Sequence, residues 1–349
     1  MILEPLFPGQ PVSFRTTEQV RSELEEACAR HRAIATYHEF GTSEEGRPLY
    51  GIELGNGPDR ICLLAGSHSD EPVGPETLRR FALEGLAHAD ELSELWEQYT
   101  FFVLPHINPD GEAENQAWIE EWPDAGSYLE HRFRELPGRD LEFGYPSMRV
   151  ENEAVSSYLR EHAPFTLHVS LHGMGLSEGG LLLIERHWID RTEALRERFR
   201  TMMGDHGLGL HDHDRAGEKG FVYIGPGFST TPEGTAMTEH FLEKGDEEMA
   251  SNFHQSSMEY VRSLGGDPLC LVTEFPLYLI ENRSPESEPG HPAAYLELKD
   301  RLPELTEMSR RNESIAPVLE EYGVRPLPLE EAITLQLETI EHGLAAATR

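Results

Sequence analysis

Residues 59–74, DRICLLAGSHSDEPVG, decide the architecture. Ile61–Ala65 is apolar without alternation, the pattern of a strand covered on both faces, as strands of parallel sheets are. A polar, glycine-flanked turn follows, and Pro75 opens an amphipathic helical pattern, PETLRRFALEGLAHADELSELWEQ, that runs to residue 98. Strand, turn and helix in that order form the repeating unit of an α/β sheet. The turn falls at the carboxyl end of the strand, where such sheets gather ligands.

Reading outward, the same alternation recurs. Upstream, Thr16 or Thr17 can cap a helix over about 16–33, and GRPLYGIELG (46–55) is a β-rich run set off by the turn Asn56-Gly57-Pro58. Downstream, strands are expected at YTFFVLP (99–105), FTLHVSL (165–171), LLLIE (181–185) and LCLVTEF (269–275). Helices are expected over 148–162, 191–204, 246–264, 292–313 and 327–346. The expected fold is α/β, with a mixed, mostly parallel central sheet and helices on both faces. One catalytic domain, 1–349, is expected, with a core of about 40–285 and a C-terminal helical extension from about 290.

Composition narrows the function. With 29 basic and 63 acidic residues, the formal charge is −34, which repels phosphate backbones and anionic lipid. Neither a nucleic acid nor a membrane is expected as a partner. No apolar run approaches the roughly 20 residues that span a bilayer, and no leader pattern is visible, so a cytoplasmic protein is expected. Cys28, Cys62 and Cys270 form no CxxC pair, and two lie in apolar runs; all three read as reduced core residues.

The pattern His-x-x-Glu occurs at His68/Glu71, His88/Glu91 and His240/Glu243, and only the first sits at a strand end among glycines. An imidazole and a carboxylate at that spacing can both ligate zinc, and His172, in the strand-end sequence VSLHGMG, can supply a third ligand. Three protein ligands leave a position open for water, the layout of a catalytic zinc. His168, on the same strand face, reads as a core residue. Glu274 is a lone carboxylate in LVTEFP, costly to bury unless paired or functional. Beside a zinc-activated water it could serve as general base and then acid.

In the order His-x-x-Glu, NPDG, strand-end His, strand-borne Glu, the chain resembles the zinc carboxypeptidase family. The matching pieces are GTSEEGRPLYGIELG, GSHSDE (66–71), PHINPDGEAENQAW (105–118), PGRDLEFGYP (137–146), SLHG (170–173) and TEFP (273–276). The related aspartoacylase and succinylglutamate desuccinylase branch shares the ligands and the base. The resemblance implies one Zn2+ held by His68, Glu71 and His172, with Glu274 as the catalytic base. It further implies a peptide or acyl-amino acid substrate, met by Asn108, Arg139, Glu142 and Tyr260.

Two departures stand out. Where the family carries the Asn-Arg pair that holds a substrate carboxylate, this chain reads Glu142-Phe143, which would favour an ammonium or a neutral group. The family's oxyanion-stabilising arginine after NPDG is also missing; Arg132, Arg134, Arg139 or Arg149 could replace it from a neighbouring loop. The family's mobile tyrosine could be Tyr260 or Tyr223, though core packing accounts for each. DHGLGLHDHD (205–214), with His206, His211 and His213, reads as solvated surface, with a second metal site as the alternative. The leading expectation is a zinc-dependent amide or peptide hydrolase. An N-acyl amino acid deacylase and a non-catalytic zinc-binding homologue are the competing readings.

Overall fold

The apolar runs become one twisted sheet in the computed structural model, which describes residues 2–282, 284 and 286–348. The expected boundaries at 1, 285 and 349 fall on residues outside the described ones. In chain order the strands are β1 (Ala35–Thr42), β2 (Pro48–Leu54), β3 (Asp59–Ala65), β4 (Tyr99–Leu104), β5 (Leu167–Ser177) and β6 (Gly179–Ile184). Then come β7 (Gly209–Leu210), β8 (Tyr223–Gly225), β9 (Phe228–Thr230), β10 (Leu269–Ile280) and β11 (Val324–Pro326). The spatial order is β1-β2-β4-β3-β5-β10-β6-β9-β8, with β11 beside β10 and β7 beside β6.

The middle of this mixed sheet, β4-β3-β5-β10, is all parallel, while the β1-β2-β4 edge and the β10-β6 junction are antiparallel. Alternate residues of each central strand enter two different cores. Ile61, Leu63, Val169 and Leu271 pack under helices 17–30, 73–87, 193–205 and 329–347. Cys62, Leu64, Cys270 and Val272 pack under helices 150–162 and 257–263. Both faces are therefore covered, as the unbroken apolar runs require. The three cysteines are free and buried. Among the described residues no helix is long and apolar enough to cross a membrane.

Three expectations need correction. The helix opened at Pro75 starts at Val73 and ends at Ala87; a separate short helix, Ser93–Gln98, continues to β4. The segment 246–264 is two short helices, because Ser256 starts a new one: its side chain accepts from Glu259 N while the Glu259 side chain accepts from the Ser256 amide. β5 and β10 each run past the expected end, pairing from Gly173–Phe275 to Ser177–Leu279. That extension carries the sheet past His172 and Glu274.

Candidate active site

β3 ends at Ala65, and the chain turns at Gly66 with φ of +76°. A side chain there would collide with the buried His106 ring, so the turn needs glycine for both its backbone and its space. Just past this turn the chain presents His68 and Glu71 toward the end of β5, where His172 stands. The donor atoms of His68, Glu71 and His172 all lie within 4.8 Å of one another. His68 Nδ1 is 3.1 Å from Glu71 Oε1 and 3.0 Å from His172 Nδ1; His172 Nδ1 is 2.9 Å from Glu71 Oε2.

Two ring nitrogens that close, both turned to one carboxylate, are placed to share a cation between them. Two nitrogens and a carboxylate oxygen are a zinc donor set, and three protein ligands leave a position facing the adjoining cavity. The residues present fit the ion. Burial pulls the His172 imidazole down, but Glu71 and Glu142 outweigh it and hold it at about 9. For Glu71, burial is likewise outweighed, by His68, Arg134 and His172, and its carboxyl sits well below the ordinary range.

Glu274 is the parallel neighbour of His172 across the β5–β10 ladder, so the two side chains leave the same face of the sheet. It lines two cavities at once, one of about 250 Å³ and one of about 420 Å³, and stands where they meet beside Arg134 and Met174. Loss of surrounding water, reinforced by the charge of Glu71, pushes its carboxyl up to about 7 against the pull of His172, His68 and Arg134. A carboxylate so poised can both take and return a proton near neutrality.

Two contributors had no distinct signal in the sequence. Asp140 Oδ1 lies 3.4 Å from His68 Nε2 and also accepts from Glu142 N at 2.9 Å, which fixes its position. Arg134 Nη1 bridges Asp70 Oδ1 at 2.9 Å and Glu71 Oε1 at 2.7 Å, and so braces the ligand carboxylate. Among the four arginines considered, it is the one at the metal cluster and in both cavities. Arg132 lines only the second cavity, and Arg149 is buried against Glu151 at 2.9 Å.

The expected substrate-binding residues are scattered. Asn108 is fully buried, and its Oδ1 accepts from Gly111 N at 3.2 Å to cap helix 109–114. Arg139 is exposed and pairs with Glu44. Tyr260 is buried, donating to Ser156 O at 3.0 Å and stacking on Tyr145 at 5.5 Å, and Tyr223 donates to Asp212 at 2.6 Å. None of these four lines either cavity beside Glu274. Glu142 does reach the first cavity, but with one oxygen hydrogen-bonded and the other facing His172. Oε1 accepts from Ser257 N at 3.1 Å and Oγ at 2.9 Å, and Oε2 is 3.4 Å from His172 Nε2. Its charge is directed at the ligand imidazole. His168 is a core residue, 3.4 Å from Ser257 Oγ.

The histidines of 205–214 part company. His206 turns to Glu338 at 3.3 Å on helix 329–347, whereas His211 and His213 line the first cavity. Among the described residues, His68, Glu71 and His172 form the one cluster with metal-binding geometry.

The family model described as zinc carboxypeptidase matches residues 20–177. Over 161 residues the chain is 24% identical to carboxypeptidase B of Astacus astacus, covering 44% of this chain and 53% of that one. Over 109 residues it is 32% identical to carboxypeptidase E of Caenorhabditis elegans, covering 28% and 23%. The chain thus spans about half the length, or less, of these curated relatives. Carboxypeptidase A from Helicoverpa armigera superposes with a TM-score of 0.53 at 14% identity, over 96% of this chain and 73% of that chain. This last likeness speaks for the fold alone.

Proposed function

We propose that this chain, which matches the zinc carboxypeptidase family model over residues 20–177, hydrolyses peptide or related amide bonds with one zinc ion. The observation that carries this reading is the pairing of His172 with Glu274 across neighbouring strands. It sets a proton-transferring carboxylate beside a three-ligand metal cluster at the mouth of a cavity. His68 and His172 would hold the ion through Nδ1 and Glu71 through its carboxylate, with Asp140 and Glu142 orienting the two rings from behind. When bound there, zinc supplies a charge that polarises the scissile carbonyl and acidifies water.

Glu274 acts as the base, taking a proton from the attacking water onto a carboxylate oxygen and delivering it to the departing nitrogen. Water is thereby split across the bond, with hydroxyl on the carbonyl carbon and hydrogen on the amine. Arg134 stands between the two cavities with its charge already shared by Asp70 and Glu71. Its task is to keep Glu71 ionised and in place.

The test is amine release from a panel of peptides, free-acid and amidated, by the zinc-loaded protein. Glu274→Gln keeps the shape and removes the base, so turnover is expected to fall by about 10² to 10⁴ with zinc still bound. Parent-like turnover by that variant would refute the role of Glu274. A parent without turnover on any peptide would refute the reading as a whole.

A further inference from the structure

The first cavity, of about 250 Å³, has one wall formed by the ligand histidines and Glu274. Its floor is apolar, with Leu181, Leu183, Val272, Met237 and Met258. Its third side comes from the segment between β7 and β8, which contributes His213, Arg215 and Lys219. A cavity of this make-up takes an apolar group and a polar one together.

Arg215 and Lys219 are unusual here. Acidic residues outnumber basic ones by more than two to one in this chain, yet neither cation forms an ion pair among the described residues. Of the carboxylates on the opposite wall, Asp140 lies beside His68 and Glu142 beside Ser257 and His172, and Glu274 is the one assigned to proton transfer. Arg134, the other cation in the cavity, is committed to Asp70 and Glu71. The Arg215 guanidinium carbon lies 4.3 Å from the centroid of Phe221, itself a cavity residue. Stacked on the ring, the guanidinium keeps its in-plane N–H edge for another partner.

Lys219 is half-buried on a backbone with φ of +55°, in a stretch where Ala216, Gly217 and Gly220 also have positive φ. An L-residue in that conformation costs free energy that the surroundings must offset, as at ligand clamps. A further sign is His211, 1% exposed and lining the same cavity: Nδ1 lies 3.0 Å from Glu178, while Nε2 has no partner among the described residues. That ring nitrogen is available to a polar ligand group.

We propose that Arg215 and Lys219 bind the terminal carboxylate of a substrate residue whose apolar side chain fills the cavity. The anchor thus lies on the β7–β8 segment rather than at positions 142–143, which offer an engaged carboxylate and a phenyl ring. The proposal deepens the hydrolase reading, and its test is independent of turnover.

Binding of three probes to the zinc-loaded protein is measured by calorimetry: N-acetylphenylalanine, its amide, and N-acetylglutamic acid α-amide, which has only a side-chain carboxylate. The free acid of phenylalanine is expected to bind best. Arg215→Gln and Lys219→Gln are each expected to weaken it about tenfold, as loss of a charge-assisted hydrogen bond does. Lys219→Arg keeps the charge and is expected to keep the binding. Zinc content and circular dichroism of the variants check that the fold persists. Equal binding of acid and amide, or unchanged binding by both Gln variants, would overturn the anchor. Preference for the glutamate probe would overturn the terminal carboxylate and apolar side chain. A protein without hydrolysis that still binds the acid through Lys219 would refute the enzyme reading and leave the anchor standing.

Discussion

The same four-residue pattern makes the same contact in two regions of this molecule. His68 Nδ1 lies 3.1 Å from Glu71 Oε1, and His88 Nδ1 lies 3.0 Å from Glu91 Oε1. The first pair has 13% and 8% of its side-chain surface exposed, the second 37% and 66%. His88 follows the last turn of helix 73–87, and its ion pair with Glu91 stands in water, where such pairs contribute between nothing and about 1 kcal/mol. His68 meets a ring from 104 residues away, because β3 and β5 are parallel neighbours. Spacing alone therefore does not make a site. A distant third donor, brought by the sheet into a place with little water, does.

The sharpest way to break this comparison is to count zinc. Purified His172→Ala is expected to lose stoichiometric zinc on dialysis, since a two-ligand remnant holds the ion far more weakly, while His88→Ala retains it fully. Elemental analysis by mass spectrometry decides. Zinc lost from His88→Ala, or retained by His172→Ala, would show that burial and the third donor are not what separates the two patterns.

A third imidazole–carboxylate contact sharpens the role of burial. His106 Nε2 lies 3.9 Å from Glu112 Oε1, with both residues buried and Arg79 also on Glu112. Burial holds the His106 imidazole down at about 4, with Arg79 adding to the effect and Glu112 opposing it. Glu112 is held at about 2 by Arg79 and His106 against burial. Both folded values lie below the ordinary ones, so the unfolded chain binds protons that the folded chain does not. His106 thus contributes stability that is complete above pH 6.5 and lost as pH falls toward 4. The loss is about 3 kcal/mol, with Glu112 adding more below about pH 4.5. Urea unfolding at pH 7.5 and 4 measures it. His106→Gln is expected to flatten that slope and His88→Ala to leave it unchanged.

What the sequence makes legible follows the same division. β3, β4 and the start of β10 are readable because strands buried on both faces are uninterrupted apolar runs. His68, Glu71, His172 and Glu274 are readable because each interrupts or ends such a run. β1 (ATYHEFGT) is an edge strand with much of its surface exposed, so no apolar run announces it. The far half of β5, HGMGLS, reads as loop from its glycines and is ordered by pairing with β10. The break after Ala87 lies among residues that all tolerate a helix. Asp140, Arg134 and the cationic side of the cavity are least legible, since their partners come from elsewhere in the chain and no local pattern marks them.

The smallest expected effect separates the two carboxylates behind the ligand rings. Asp140 Oδ1 to His68 Nε2 and Glu142 Oε2 to His172 Nε2 are both 3.4 Å, longer than the 2.7–2.9 Å of a strong charge-assisted bond. Yet His172 Nε2 also has Ser170 Oγ at 2.9 Å, a second acceptor that can keep the ring oriented. His68 has no such alternative on that nitrogen among the described residues. Asp140→Ala is therefore expected to weaken zinc about 10- to 100-fold, the usual cost of losing the group behind a ligand histidine. Glu142→Gln, which keeps an acceptor and leaves Ser170 in place, should cost less than tenfold. Competition with a calibrated chelator gives both constants. Were Glu142→Gln the more damaging of the two, the charge behind His172 rather than the orientation of its ring would be what the site requires.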